Sequence, residues 1–297
     1  MDRDWTYLAE QRVDVVGLQA DLRDGLVTLL ADRDQPVPVA EMALLVISPA
    51  HRGRKLMERF LNCLKERARK MGIFGLSFNP VTSHPVSVRN TIALGALPCG
   101  LDLAACPPRN FKSMDLGTAP PQRESYLHCF QYLVDPPPAK VCDLGRHRAI
   151  VERVLGNLDR TIISPPEETD HGPGEYAVVF DRGLLKGVVR VSRADERQWP
   201  EIRRAALDLL DIAGAEVVHI DLPLAQPATA VLAEQVKEAG FFFAGVWPHA
   251  AEDGDMLRFT RLAVPLDMNR LRLHSDLAHD LGRYVGEEMA RVSALPA

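Results

Sequence analysis

The chain has 297 residues, 46% of them hydrophobic and 25% charged, with a net charge of −5 and a pI near 6.0. That length holds one large domain or two of ordinary size, and the composition is globular and not disordered. The acidic balance argues against nucleic acid as a partner. No apolar run reaches the ~18 residues of a membrane span. The N-terminus, MDRDWTYLAEQR, carries charge where a signal peptide has its apolar core. The five cysteines (63, 99, 106, 129, 142) lack C-x-x-C spacing, which fits reduced thiols in a cytoplasmic protein and offers no metal site.

In chain order, residues 6–18 read as a short strand, a turn and a second strand, and LVTLLADRD extends the hairpin to a break at Pro36 and Pro38. MALLVIS is an unbroken apolar run of strand length, suited to burial on both faces, and Pro49 ends it. A basic turn follows, with His51, Arg52, Gly53, Arg54 and Lys55. Beyond it lies an amphipathic helix to Lys70, with Leu56, Phe60, Cys63 and Leu64 on one face and Gly72 as its closing glycine. A buried strand, a basic glycine turn and a helix N-terminus together make an anion site.

IFGLSFNPV is the next strand, residues 85–94 a helix ending at Gly95, ALPCGLDLAAC a closing strand and QRESYLHCFQYLV another. DPPPAK reads as a stiff linker. Beyond it come a helix with Ile150, Val151, Val154 and Leu155 on one face, and a strand–turn–strand, EYAVVFDRGLLKGVVRVS. A helix from Pro200 to Gly214 follows, then strand VVHIDLPL, helix PATAVLAEQVKEAG, strand FFFAGVWP, strand DMLRFTRLAV and a helix over 275–293. GALPCG (95–100) and GFFFAG (240–245) echo one another, each ending a helix and carrying glycines five apart.

The segment from Ile47 onward resembles the acyl-CoA pyrophosphate loop of the GNAT N-acetyltransferase superfamily, V-x-P-x-x-R-G-x-G-x-G/A. Ile47, Pro49, Arg52 and Gly53 fit, whereas Lys55 and Met57 stand at the next two glycine positions. Strand, loop helix, strand, helix, strand is also the order of that family's core. The internal echo extends the resemblance to an α/β chain of two tandem GNAT-like domains, 1–135 and 136–297, with mixed sheets flanked by helices. The first is expected to be incomplete at its N-terminus, lacking a strand and two helices of the family. The second is expected to be degenerate, because DERQW stands where its loop belongs and Asp195 and Glu196 repel a pyrophosphate.

The resemblance implies acetyl-CoA or CoA as co-substrate, with Ile47 and Ser48 along the pantetheine arm and Arg52, Gly53, Arg54, Lys55 and Leu56 around the pyrophosphate. It implies Glu41 as catalytic base, acting on a small-molecule or protein amine. At the family's tyrosine position stands Thr91, and His84, Ser87, Asn90 and Cys99 are the other groups considered near the thiol. The plainer readings are a solvated basic face, continued by Arg59, Lys65, Arg67, Arg69 and Lys70, and a solvent-facing carboxylate at Glu41. The leading expectation is N-acetyl transfer. Its alternative is a non-catalytic GNAT-fold protein serving as CoA sensor or dimerisation scaffold, hence a homodimer. No nucleic-acid or membrane partner is expected, and neither G-x-S-x-G nor G-x-x-x-x-G-K-[ST] occurs.

Overall fold

The computed structural model describes residues 13–18, 25–32, 38–47, 50, 53–54, 56–108, 121–165 and 172–294. The first half runs β1 (Val13–Leu18), β2 (Gly25–Asp32), β3 (Val39–Ile47), α1 (Leu56–Lys70), β4 (Gly75–Phe78), α2 (Pro85–Ala93), β5 (Leu97–Cys106) and β6 (Glu124–Tyr132). A bridging segment holds β7 (Ala139–Lys140), α3 (Arg148–Asn157) and β8 (Ile162–Ile163). The second half runs β9 (Glu175–Asp181), β10 (Lys186–Arg193), α4 (Trp199–Asp211), β11 (Val217–Pro223), α5 (Thr229–Glu238), β12 (Phe242–Ala251), β13 (Gly254–Leu262) and α6 (Asp276–Ser293).

Eleven strands form one mixed sheet in the order β1-β2-β3-β4-β6-β5-β12-β13-β11-β10-β9, while β7 and β8 pair separately. Read outward from the junction of β5 and β12, five strands of each half have the same connectivity, and β1 adds a further strand at the edge of the first half. The echo seen in the sequence is carried into the backbone in detail. β5 and β6 pair Leu97 with Phe130 and skip one residue between Pro98 and Gly100; β12 and β13 pair Phe242 with Thr260 and skip one between Phe243 and Gly245. Four residues further on, Ala104 (φ 51°) and His249 (φ 56°) both turn into left-handed backbone. The N–H of Ala104 donates to Ser125 Oγ at 2.9 Å and that of His249 to Asp255 Oδ1 at 3.0 Å. Such matched bulges bend both hairpins alike.

The halves meet where β5 crosses β12, at the pair Gly100–Gly245. A Cβ on Gly245 would stand 2.2 Å from Gly100 Cα, so only glycine lets the two backbones touch there. Past the crossing, each hairpin reaches the polar face of the other half. Asp102 and Arg123 of the first half meet Lys186 and Glu216 of the second. Trp247 and His249 of the second half meet His128 and Tyr132 of the first. The opposite face of the crossing is closed by α3 and α6. There the His147 ring lies 5.0 Å from Phe243, and its Nδ1 lies 2.8 Å from the Tyr284 hydroxyl.

Two sequence expectations need correction. On α1 the buried stripe is Leu61, Leu64 and Ala68, while Cys63 is exposed, so the apolar face is rotated from the one expected. The proline segment is not a free spacer: the Pro137 and Pro138 carbonyls accept from Arg160, whose guanidinium also binds Asp255 at 2.5 Å. Ile150, Val151, Val154 and Leu155 are all buried on α3, as their spacing predicts. The strand expected from residue 6 lies outside the described residues up to Val13.

Candidate active site

Two forks open at the carboxyl ends of parallel strand pairs, the place where α/β sheets present ligand crevices. In the first half β3 pairs with β4 only from Val39–Gly75 to Met42–Phe78, while its pairing to β2 runs on to Ile47. In the second, β10 and β11 pair from Lys186–Val217 to Arg190–Asp221 and then part.

At the N-terminal fork stand Glu41, Asn79 and His128. Asn79 Nδ2 donates to Glu41 Oε1 at 2.9 Å, and Asn79 Oδ1 lies 2.9 Å from His128 Nδ1. A carbonyl oxygen only accepts, so this chain places the imidazole proton on Nδ1 and leaves the lone pair on Nε2. Burial raises the Glu41 carboxyl above its usual 4.5, against the hydrogen bond from Asn79 and the charge of Lys186. Burial, helped by the charge of Arg258, pushes His128 down to about 3, so the ring is neutral at ordinary pH. Glu41 is thus a half-buried, hydrogen-bonded carboxylate and not a solvated strand end.

The C-terminal fork has charged residues at two of the equivalent positions, Asp221 for Asn79 and Arg258 for His128. Arg258 holds Asp221 through two bonds of 2.7 Å, and Arg190 approaches the same carboxylate at 3.9 Å. Burial opposes ionisation of Asp221, yet Arg258 more than offsets it and holds the carboxyl below 3.8. His219, fully buried, lies 3.0 Å from Asp102 and 2.9 Å from Thr260 Oγ1. Burial likewise opposes Asp102, but Lys186 and His219 keep it well below the carboxylate range.

Of the loop, Ser48, Arg52 and Lys55 lie outside the described residues. Ile47 ends β3, Gly53 takes φ 78° with nothing within 4 Å of a built Cβ, Arg54 is exposed, and Leu56 opens α1. Part of the supposed solvated basic face has other work: Lys65 donates to the Leu94 carbonyl at 2.7 Å and Arg69 to that of Leu133 at 3.4 Å. In the second half Asp195 turns on its own chain, accepting from the Arg197 N–H at 3.0 Å and pairing its guanidinium at 2.7 Å. That carboxylate occupies the turn ahead of α4 where an anion would bind.

Two of the other residues considered for the thiol end, His84 and Cys99, make structural contacts. His84 caps α2 by accepting from the Val86 N–H at 3.3 Å, and Cys99 is buried with its thiol on the Leu97 carbonyl. Asn79, His128 and Trp247 were not singled out from the sequence. The available signal was a polar residue inside an apolar strand, as in SYLHCF, VVHIDL and DMLRFT. Among the described residues no cluster of three or more His, Cys, Asp or Glu could hold a metal ion, and no helix is long and apolar enough to cross a membrane.

No family model and no curated protein matches the chain. Solved structures do, and the chain resembles the GNAT acetyltransferases in fold. One is an acetyltransferase from Bacillus subtilis in complex with CoA, at 13% identity and TM-score 0.35, covering 45% of this chain and 85% of that one. Another is the ribosomal-protein-S18-alanine N-acetyltransferase of Escherichia coli, at 12% identity and TM-score 0.34, covering 46% and 79%. A tandem GNAT protein from the clavulanic acid biosynthesis pathway aligns at 15% identity and TM-score 0.30, over 82% of this chain and 80% of that one. At such identities the likeness concerns fold alone.

Proposed function

We propose that this chain is a CoA-dependent N-acetyltransferase built from two GNAT-like domains, 1–135 and 136–297, of which only the first takes acetyl-CoA. The observation that carries this reading is the hydrogen-bonded chain Glu41–Asn79–His128 at a strand fork just ahead of the α1 N-terminus. Ile47 and Ser48 would run along the pantetheine arm, and Arg52, Gly53, Arg54, Lys55 and Leu56 around the pyrophosphate, where helix N–H groups and basic side chains favour phosphate. Bound there, acetyl-CoA supplies a thioester carbonyl at the fork.

Glu41 takes a proton from the acceptor ammonium, freeing the lone pair that forms the N–C bond as the C–S bond breaks. Its raised affinity for protons suits that task near neutrality, and Asn79 fixes the carboxylate that does it. The departing thiolate takes its proton from water, since Thr91 stands where the family keeps a tyrosine. The second domain, with its loop turned on Asp195 and its fork filled by ion pairs, serves as structure. A small-molecule or protein amine is the acceptor, and the cytoplasm is the setting that the reduced cysteines favour.

Calorimetric and thermal-shift titration with acetyl-CoA and CoA tests the reading. A ligand that binds only the folded state at a hundred times its Kd stabilises by about 2.7 kcal/mol. Saturable stabilisation that Arg52→Ala/Lys55→Ala abolishes is expected; none at millimolar ligand overturns it.

A further inference from the structure

The N-terminal fork is not walled by its own half alone. Trp247 belongs to β12, beyond the crossing, and its indole lies parallel to the His128 ring, 5° between planes and 4.7 Å between centroids. The same indole passes over Gly100, where an added Cβ would stand 2.8 Å from the ring. Arg258 holds the indole too, its guanidinium 4.1 Å from the ring centroid, and is itself fixed by two bonds to buried Asp221. One chain of contacts therefore runs from Asp221 through Arg258, Trp247, His128 and Asn79 to Glu41. Its first three members come from the second half and its last three from the first.

The backbone repeat shows that this placement is specific. The position equivalent to Trp247 on β5 is Asp102, two residues past the paired glycine in each strand. Asp102 makes the same reach into the other fork, toward Lys186 and His219. Each fork is thus finished by one residue from the opposite half. Only at the N-terminal fork is that residue an aromatic ring, able to shed water and hold a neutral imidazole flat.

We propose that Trp247 is a positioning residue of the N-terminal site, holding His128, and through Asn79 the Glu41 carboxylate, in the plane that acyl transfer needs. The inference rests on the cofactor reading above and adds a role for the second half: it supplies a wall of the first half's site without binding a cofactor of its own. Among the described residues Trp247 meets His128, Gly100 and Arg258, so its loss is expected to change turnover and to leave cofactor affinity in place. Displacement of a fixed general base by a fraction of an ångström is enough to lower a rate sharply.

The first experiment leaves Trp247 intact. In a Trp5→Phe/Trp199→Phe protein Trp247 is the sole tryptophan, and its emission is followed as acetyl-CoA or free CoA is added, with calorimetric heats taken on the same sample. A saturable emission change, larger for acetyl-CoA than for CoA, is expected, because a group arriving at the fork must adjust the ring stack. Heat of binding with unchanged emission overturns the proposal. No heat on either this protein or the wild type removes the cofactor reading itself, and the proposal with it.

The second experiment compares Trp247→Phe and Trp247→Leu for thiol release from acetyl-CoA over a panel of amines. Trp247→Leu is expected to lose roughly tenfold or more in kcat with the acetyl-CoA Kd within about threefold of wild type, and Trp247→Phe to recover most of it. Wild-type turnover in Trp247→Leu, or a Kd that weakens in step with kcat, overturns it. The emission arm decides the matter if Trp247→Leu does not fold.

Discussion

The two forks share a backbone plan and differ in chemistry. Asn79 and Asp221 occupy equivalent positions, as do His128 and Arg258, and Glu41 and Val188. The first fork is neutral apart from one carboxylate that burial keeps proton-hungry. The second places a buried bidentate ion pair, Asp221 with Arg258, at the positions that Asn79 and His128 hold in the first. A single fold thus leaves one fork with a carboxylate held by an amide and turns the other into a brace of ion pairs. The difference lies in a few side chains on matching strands.

The comparison breaks most completely at the crossing. Gly245→Ala places a methyl against the Gly100 backbone at a φ of 144°, so a loss above about 4 kcal/mol, read as collapse of soluble yield or urea midpoint, is expected. Arg258→His comes next. It strands Asp221 without its bidentate partner, a loss of about 3–5 kcal/mol. The pair Asp221→Asn/Arg258→His, which copies the N-terminal fork, should cost clearly less than Arg258→His alone. Equal urea-derived losses would show that the charged pair is not what distinguishes the forks.

Glu41→Gln is expected to spare stability and to cut kcat by at least ~10². The acid limb of the wild-type kcat/KM profile should fall above pH 4.5, because burial raises this carboxyl, and should vanish in the variant. Acid stability is a gentler probe. His128, His147 and His249 are held down to about 3, 4 and 4 chiefly by burial. The unfolded chain therefore binds more protons between those values and 6.5, and stability is lost as pH falls through that window. From pH 7 to 5 each ring contributes a loss of roughly 2 kcal/mol, visible as a falling Tm. Gly53→Ala is the smallest change. The site has room for the methyl but requires left-handed backbone, so about 1 kcal/mol is expected together with weaker CoA binding.

Helices and strands of both halves were legible because apolar spacing and closing glycines are local signals, as at Gly95 and Gly240, which take φ 90° and 82°. The echo of GALPCG and GFFFAG was legible too, but not that its last glycines touch, because pairing between strands 145 residues apart leaves no periodicity in the sequence. Glu41 was singled out by the position that the resemblance assigns it, and its bond to Asn79 was not legible in the sequence. His128 and Trp247 were missed because their meeting depends on two bulges and a crossing, none of which a single strand records. Cys63 misled because a small sulfur side chain reads as apolar whether or not a neighbour covers it.

The reciprocal reach of the two hairpins has a consequence for how the chain can be divided. A cut in the segment 136–138 would not release two self-sufficient bodies, since each fragment would bare a polar face that its mate had covered and would lose the contacts of Arg160 with Pro137, Pro138 and Asp255. The pieces should instead seek one another, so that the protein, split at its prolines and co-expressed, behaves as an obligate two-chain complementation pair. The covalent tether replaces association between separate molecules by a high effective concentration.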